Sequence, residues 1–265
     1  MATTETAVVN LSLIRMGQNP ILSIDSTTDI LSVKCRTIFD QKRDERLIDG
    51  PEDGWRFARM TYHGIDVNSY AITAFALATA TTTTVTATHG LVAGDMVKID
   101  GTTNYDGTYD VVSVSTTVSF VITKTFVATE TGTAYWTSEK YAYRYAVPTC
   151  KAVNKVMLGG IEVPDWNREG DWVLTNLEDS EVDMVIIKVI TDVTLFPDYF
   201  VKVLVLDLAI ELVYNLTQDL KAIQLLAQER DYVLDKAIAK DEKEKYVKEY
   251  STSWVDAGRN TNIIE

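Results

Sequence analysis

The sequence predicts an α+β fold, in which a helical-bundle core with short β-strands carries an inserted all-β domain, either a sandwich or a barrel. Three observations predict it. The 265 residues are 46% hydrophobic and 24% charged, as is usual for a globular chain. Apolar residues recur at helical spacings near both ends of the chain. Between Thr73 and Thr137, 19 of 65 residues are threonine and only 7 are charged, and threonine favours a pleated strand over a helix.

Residues 1–70 are predicted to form the N-terminal helical part of the core. A first helix is expected from Thr6 to Met16, where Gly17 follows as a C-terminal cap. A second helix is expected from about Asp29 to Leu47. Its start is indicated by the pattern Ser-x-x-Asp beginning at Ser26, which is typical of a helix N-cap.

Residues 71–137 are predicted to form the inserted Thr-rich β-domain of five to seven strands. Turn signals recur through this segment, and Asp106-Gly107 is the strongest hairpin signal. The predicted strands between these turns are Met96–Ile99, Tyr109–Val114 and Val118–Ile122.

Residues 138–250 are predicted to form the second part of the core, with strands followed by long C-terminal helices. The last strand is expected at Met184–Ile190, and Pro197 is placed at the first position of a helix. Asp219 is predicted to cap a further helix, which runs through Ile223, Leu226, Tyr232, Leu234 and Ala237. Residues 251–265 are mostly polar and are predicted to be a flexible C-terminal tail.

The charge balance argues against nucleic acid or a membrane as a binding target. The net charge is −13, whereas binding to phosphates or to anionic lipid depends on clustered cations. The most apolar stretch, Phe200 to Tyr214, is interrupted by charges and is too short to span a bilayer. Cys35 and Cys150 fit neither a disulfide framework nor a zinc site, and both are expected to be reduced.

Motifs of common enzymes are missing, so the chain is predicted not to be an enzyme and to hold no cofactor or metal. The sequence contains no phosphate-binding loop, no Gly-x-Ser-x-Gly elbow and no His-Glu-x-x-His. Its two histidines, His63 and His89, are far apart, and His89 is expected in a turn. A glycosidase-like pair of carboxylates stays open among 38 acidic residues.

Several aromatic residues have two possible roles. Trp136, Tyr141, Tyr143 and Tyr145 either pack in a core or face a partner chain, since Tyr and Trp are favoured at interfaces. Trp254, in the polar tail, is expected to anchor the tail either on its own domain or on a neighbouring subunit.

The order of several short motifs resembles the tail tubular protein A family, the head-to-tail adaptors of short-tailed phages. The resemblance covers about residues 5–62 and 138–260. Its motifs are Arg15 to Ile21, Trp55 to Arg59, Tyr141 to Cys150, Thr191 to Phe200 with Leu208-Ala209, and Ser253-Trp254 with Arg259.

The resemblance implies a structural virion protein without a catalytic site. Such a protein forms a homo-oligomeric ring beneath the portal, usually of about twelve copies. The ring joins the capsid to the tail and forms part of the channel through which duplex DNA passes without specific binding. The implied partners are the portal protein, the tail nozzle or tubular protein, and further copies of the chain. The implied location is the neck or tail of the virion, and the host cytoplasm during assembly.

The candidate interface residues for this function are Trp254, Arg259, Tyr143 and Tyr145. Trp254 and Arg259 are expected to dock on the portal or on a neighbouring subunit. A weaker hypothesis pairs the charged segment Arg43 to Arg46 with Asp241 to Glu244 of an adjacent copy.

The segment of about residues 71–137 departs from the family pattern, in which many members have no insertion. Thr88 to Leu91, Gly94 to Val97 and Tyr105 to Tyr109 resemble a small β-module of phage structural proteins. An alternative function is therefore binding of a host-surface protein or glycan by the β-domain. That alternative predicts an exposed aromatic platform. A wall-degrading enzyme is the third hypothesis.

Overall fold

The computed structural model describes residues 4–177 and 181–244. The described chain divides into two compact units. The helical unit contains the residues up to Phe57 and those from Ile190 on, and the β unit contains Ala58–Val189. The β unit therefore interrupts the helical unit in sequence.

The helical unit is built around one apolar helix. Its helices are α1 (Glu5–Arg15), α2 (Ile30–Ile48), α3 (Asp198–Leu216) and α4 (Leu220–Lys243), with short 3₁₀ turns at Arg56–Ala58 and Val193–Leu195. Eleven residues of α3 are buried, and α1, α2 and α4 all pack against it. A helix that is apolar on nearly all sides is expected at the centre of a bundle.

Polar residues fix the helix starts. The side chain of Asp29 accepts hydrogen bonds from the backbone N–H groups of Leu31 and Ser32, so Asp29 is the cap of α2. The predicted cap pattern began at Ser26, but Ser26 does not cap α2. Its side chain accepts a hydrogen bond from the backbone N–H of Asp29. Asp219 caps α4, which confirms its predicted role, whereas Pro197 is the N-cap of α3 and not its first helical residue.

The β unit contains fourteen strands in three antiparallel sheets. In chain order they are β1 (Arg59–Asp66), β2 (Ser69–Ile72), β3 (Ala74–Leu77), β4 (Thr83–Thr86), β5 (Met96–Asp100), β6 (Gly107–Thr116), β7 (Ser119–Ile122), β8 (Gly132–Thr137), β9 (Tyr143–Ala146), β10 (Ala152–Leu158), β11 (Ile161–Glu162), β12 (Trp166–Glu169), β13 (Trp172–Thr175) and β14 (Glu181–Ile187). The sheet orders are β1-β14-β10-β11, β12-β13-β9 and β2-β8-β5-β6-β7-β4-β3.

The seven-stranded sheet is a nearly closed barrel. Its first and last strands, β2 and β3, are consecutive in the chain and meet at Thr73, whose backbone N–H donates to the carbonyl of Thr86 at 2.9 Å. Inside the barrel, the rings of Phe75 and Tyr105 stack with centroids 4.0 Å apart. Of the two architectures left open for the Thr-rich segment, the structure therefore has the barrel.

A second core lies between the two smaller sheets. It contains Tyr143 and Tyr145 from β9, Val173 from β13, and Met184 and Ile186 from β14. Because side chains alternate along a strand, these residues project from one face of each strand into a shared interior.

The predicted fold class was wrong. The sequence predicted a helical-bundle core with only short strands, but residues 4–177 and 181–244 contain fourteen strands against four helices and are 33% helical. One of the strands that were not predicted is β1. It pairs with β14, and Arg59 lies opposite Ile187 in that pair. This pairing joins segments more than a hundred positions apart in sequence. The periodicity of neighbouring residues cannot predict such a pairing.

Candidate functional site

Neither histidine is part of a recognisable catalytic group in the described residues. His63 is largely exposed, and its Nδ1 lies 3.0 Å from Asp183. His89 is buried, its Nδ1 accepts a hydrogen bond from the backbone N–H of Leu91, and its ring meets Phe120 edge to face. Within residues 4–177 and 181–244, no cluster of three His, Cys, Asp or Glu side chains is arranged to hold a metal ion.

The structure brings two of the four predicted interface residues together. Tyr143 is 5% exposed and Tyr145 is fully buried, both in the core between the smaller sheets. The hydroxyl of Tyr143 accepts a hydrogen bond from Lys98 Nζ at 2.6 Å. A partner chain can therefore reach little of either ring. Trp254 and Arg259 lie outside the described residues.

Arg144 joins the barrel to the three-stranded sheet. Its guanidinium lies over two indole rings, 5.0 Å from the centroid of Trp136 and 4.2 Å from that of Trp172. It also donates to Asn68 Oδ1 at 3.0 Å and to the Tyr70 hydroxyl at 2.7 Å. Because Trp136 and Tyr70 belong to the barrel and Trp172 to the smaller sheet, this cluster fixes the orientation of one against the other.

Three helices share a buried charge cluster at Asp207 of α3. Arg46 of α2 donates to both carboxylate oxygens, at 2.6 Å and 3.0 Å. Arg230 of α4 donates to the same carboxylate at 3.3 Å. A bidentate arginine–carboxylate pair has a narrow range of geometries, so the cluster sets the register of α2 and α4 on α3.

The same contacts fix the directions of the helices. Along α2, Lys42 lies near Glu211 and Arg46 binds Asp207, so α2 runs antiparallel to α3. Along α4, Arg230 binds Asp207, and Asp241 accepts a hydrogen bond from Tyr199. The helix α4 is therefore also antiparallel to α3, and it runs in the same direction as α2.

The two arginines of the expected charged face at Arg43 to Arg46 are not solvated. The side chains of Arg43 and Arg46 are only 8% and 10% exposed. Asp241, on the other side of the hypothetical pairing, is 1% exposed and accepts hydrogen bonds from the backbone N–H of Arg56 and from Tyr199. These residues bind inside the chain, so they are not available for the pairing with an adjacent copy that we expected.

Two helices expose a stripe of residues on the side away from α3. We call these the outer stripes. Every member is exposed, and members recur three, four or seven positions apart. The outer stripe of α2 contains Ile30, Val33, Thr37, Gln41 and Ile48. That of α4 contains Leu225, Gln228, Tyr232 and Ala239.

Three large apolar members of the outer stripes are more exposed than buried. Ile30 is 75% exposed, Leu225 is 68% exposed and Tyr232 is 60% exposed. An isolated exposed apolar residue is ordinary, but a row of them along one helix face is typical of an interaction surface. Tyr232, one of the apolar residues along the predicted helix, lies on the exposed side of α4.

Comparison with known proteins gives no match, either to a protein-family model or to a curated protein. No helix in the described part of the chain is long and apolar enough to cross a membrane.

Sequence reasoning missed the Arg144 cluster and the outer stripes. The alternation of Tyr143, Arg144 and Tyr145 was visible and places Arg144 on the opposite face of β9 from the two tyrosines. The sequence alone does not show that β9 pairs with β13, which brings Trp172 to that face.

Proposed function

We propose that this protein is a structural head-to-tail adaptor of a short-tailed phage. In this proposal it forms a ring of about twelve copies beneath the portal. The ring joins the capsid to the tail nozzle or tubular protein, in the neck of the virion, after assembly in the host cytoplasm. The observation that supports it most is the pair of outer stripes on α2 and α4. A subunit of a closed ring needs two different surfaces for its two neighbours.

The charge of the chain supports a passive role in the DNA channel. The net charge is −13, and a ring of such subunits has no excess of cations with which to bind the phosphates of a duplex. DNA is therefore expected to pass without specific binding. Tight, salt-sensitive DNA binding by the assembled ring would contradict this part of the proposal.

The alternative function, binding of a host glycan or surface protein by the β-domain, gains no support from the barrel. Its aromatic residues are used in the interior. Phe75, Tyr105 and Phe120 are buried, and Tyr109, Phe126 and Trp136 pack against the same core. Tyr135 packs against the core between the smaller sheets. The exposed aromatic platform that this alternative requires is not formed by these residues.

Co-sedimentation with portal rings tests the proposal. The chain is mixed with assembled portal rings of its own phage and centrifuged, with an unrelated ring-shaped protein as the control. The proposal predicts that the chain sediments with the portal rings and not with the control. A chain that stays in the supernatant in both mixtures would refute it.

A further inference from the structure

We propose that the outer stripe of α4 in one copy docks on the outer stripe of α2 in the next copy, with the two helices parallel. This inference rests on the proposed function, because a ring requires a contact between two different surfaces. It identifies those surfaces. The charges beside the stripes and the directions of the helices carry the argument.

The outer stripe of α4 has one basic side and one acidic side. Three exposed lysines lie along one side: Lys236, Lys240 and Lys243. Three exposed acids lie along the other: Asp231, Asp235 and Glu242. Lys236 also lies over the ring of Tyr232, with Nζ 4.0 Å from its centroid, so the basic side is continuous with the stripe. Among the described residues, Lys240 and Lys243 make no ion pair.

The outer stripe of α2 has charges in the same order around the helix. Asp40 and Asp44 lie on one side, where both contact Arg43. The exposed Lys34 lies on the other side. Glu45 is also on the Lys34 side, but it binds Lys42 of the same helix. Asp40 also lies 3.9 Å from Arg36. A carboxylate has room for several donors, so Asp40 and Asp44 can each accept a further one.

Only a parallel arrangement matches these charges. When each helix is viewed from its N-terminus and followed round in the same direction, the acidic side comes first, then the stripe, then the basic side. Two such helices that pack stripe against stripe bring acid against base when they are parallel, and like charges together when they are antiparallel. Opposite charges across an interface favour the correct register and disfavour the wrong one.

The fold supplies the parallel arrangement. Within one chain α2 and α4 both run antiparallel to α3, and so run in the same direction. In a ring whose axis is parallel to these helices, the rotation from one copy to the next leaves their direction unchanged, so α4 of one copy meets α2 of the next in parallel. A contact between two α4 helices would leave both α2 stripes uncovered, whereas the α4-to-α2 contact covers both kinds of stripe.

Zero-length cross-linking tests this contact directly. Isotopically heavy and light chains are mixed, and a carbodiimide joins lysine amines to carboxylates already in contact, releasing the activated oxygen as a urea. The experiment uses the concentrated chain alone and the chain assembled on portal rings. We expect heavy–light peptides that join Lys236, Lys240 or Lys243 to Asp40 or Asp44. The inference would be overturned if the heavy–light peptides joined α4 to α4, or joined only elements other than α2 and α4. It would also be overturned if neither preparation gave α4-to-α2 peptides.

A variant checks that the contact matters for assembly. Leu225→Ser combined with Tyr232→Ser removes the apolar part of the α4 stripe, and Lys202→Gln, at an exposed lysine of α3, is the matched control. We expect the double variant to melt like the wild type but to assemble at least ~10-fold more weakly. Normal assembly would overturn the inference.

The two proposals fail separately. If portal binding is absent but the α4-to-α2 cross-links form in the concentrated chain, the adaptor proposal fails and the contact stands. If portal binding occurs and the cross-links join other surfaces, the contact fails and the adaptor proposal stands.

Discussion

Arg46 and Asp207 are 161 positions apart in sequence, yet they form a two-point ion pair inside the helical unit, with Nε–Oδ2 at 2.6 Å and Nη2–Oδ1 at 3.0 Å. The pair joins α2, from the N-terminal part of the chain, to α3, from the C-terminal part. Arg46 also donates to the carbonyl of Asp49, and its own carbonyl accepts a hydrogen bond from Trp55 Nε1. One arginine therefore holds the end of α2, the following turn and the centre of the bundle together.

Replacing Asp207 should strongly destabilise the helical unit. Asp207→Ala leaves the buried guanidinium of Arg46 without its counter-charge, which typically costs about 3–5 kcal/mol of unfolding free energy. Urea denaturation measures the loss. The matched control is Glu229→Ala, which removes the exposed ion pair with Arg15 and should cost less than about 1 kcal/mol. Equal losses for the two variants would contradict the role assigned to Asp207.

Arg144 should contribute more to the β unit than an ordinary surface arginine. Arg144→Met removes contacts with two indole rings and two hydrogen bonds, and we expect it to cost about 2 kcal/mol. Lys124→Met is the control, because Lys124 lies 5.9 Å from the centroid of only one ring, that of Tyr109. Both are measured by chemical denaturation. A loss for Arg144→Met no larger than that of the control would show that the cluster does not stabilise the unit.

Gly50 should not tolerate a side chain. A Cβ at this position would lie 2.5 Å from Trp55 Cε2, and Trp55 is fully buried and cannot move aside. We expect Gly50→Ala to cost about 1–3 kcal/mol. Gly90→Ala is the control, since a Cβ there meets nothing within 4 Å, and it should be neutral or stabilising by about 0.5 kcal/mol. Thermal melting compares the two, and a neutral Gly50→Ala would be inconsistent with this packing.

The two cysteines should differ in reactivity. Burial, with a smaller contribution from the charge of Asp29, raises the pKa of the Cys35 thiol to about 11. Burial also raises the pKa of the partly exposed Cys150, but Arg168 opposes that shift. At pH 8 an aromatic disulfide reagent should therefore modify Cys150 first, and both thiols only after denaturation. Faster modification of Cys35 in the native protein would contradict its burial.

The raised pKa of Cys35 also predicts a pH dependence. The unfolded chain loses this proton near pH 9.0, whereas the folded chain keeps it until about pH 11. The contribution to stability is therefore fully present below pH 9.0 and is lost as the pH rises through this window. Denaturation at pH 8 and pH 10.5 should show a smaller fall in unfolding free energy for Cys35→Ala than for the wild type. The same fall in both would refute the linkage.

The sequence predicted much of the local structure correctly. The apolar spacing of α3 and the capping residue Asp219 were readable because both depend on neighbouring residues. The threonine-rich strands were readable because their turns carry Gly and Asp. By contrast, β1 has an irregular burial pattern and obtains its partner β14 from far along the chain.

The candidate surfaces were harder to predict than the elements that carry them. Tyr232 and the partly buried Leu234 are two positions apart, about 200° around the helix, so these two apolar residues cannot both face α3. Arg43 and Arg46 look like surface residues by type. Only the position of Asp207 on a distant helix makes the burial of Arg46 possible.

The most direct test of the central claim is the native mass of portal rings mixed with this chain. The adaptor proposal predicts that the portal ring gains about twelve copies and that the free chain has a lower oligomeric state. A chain that keeps the mass it has alone, beside an unchanged portal ring, would contradict the proposal.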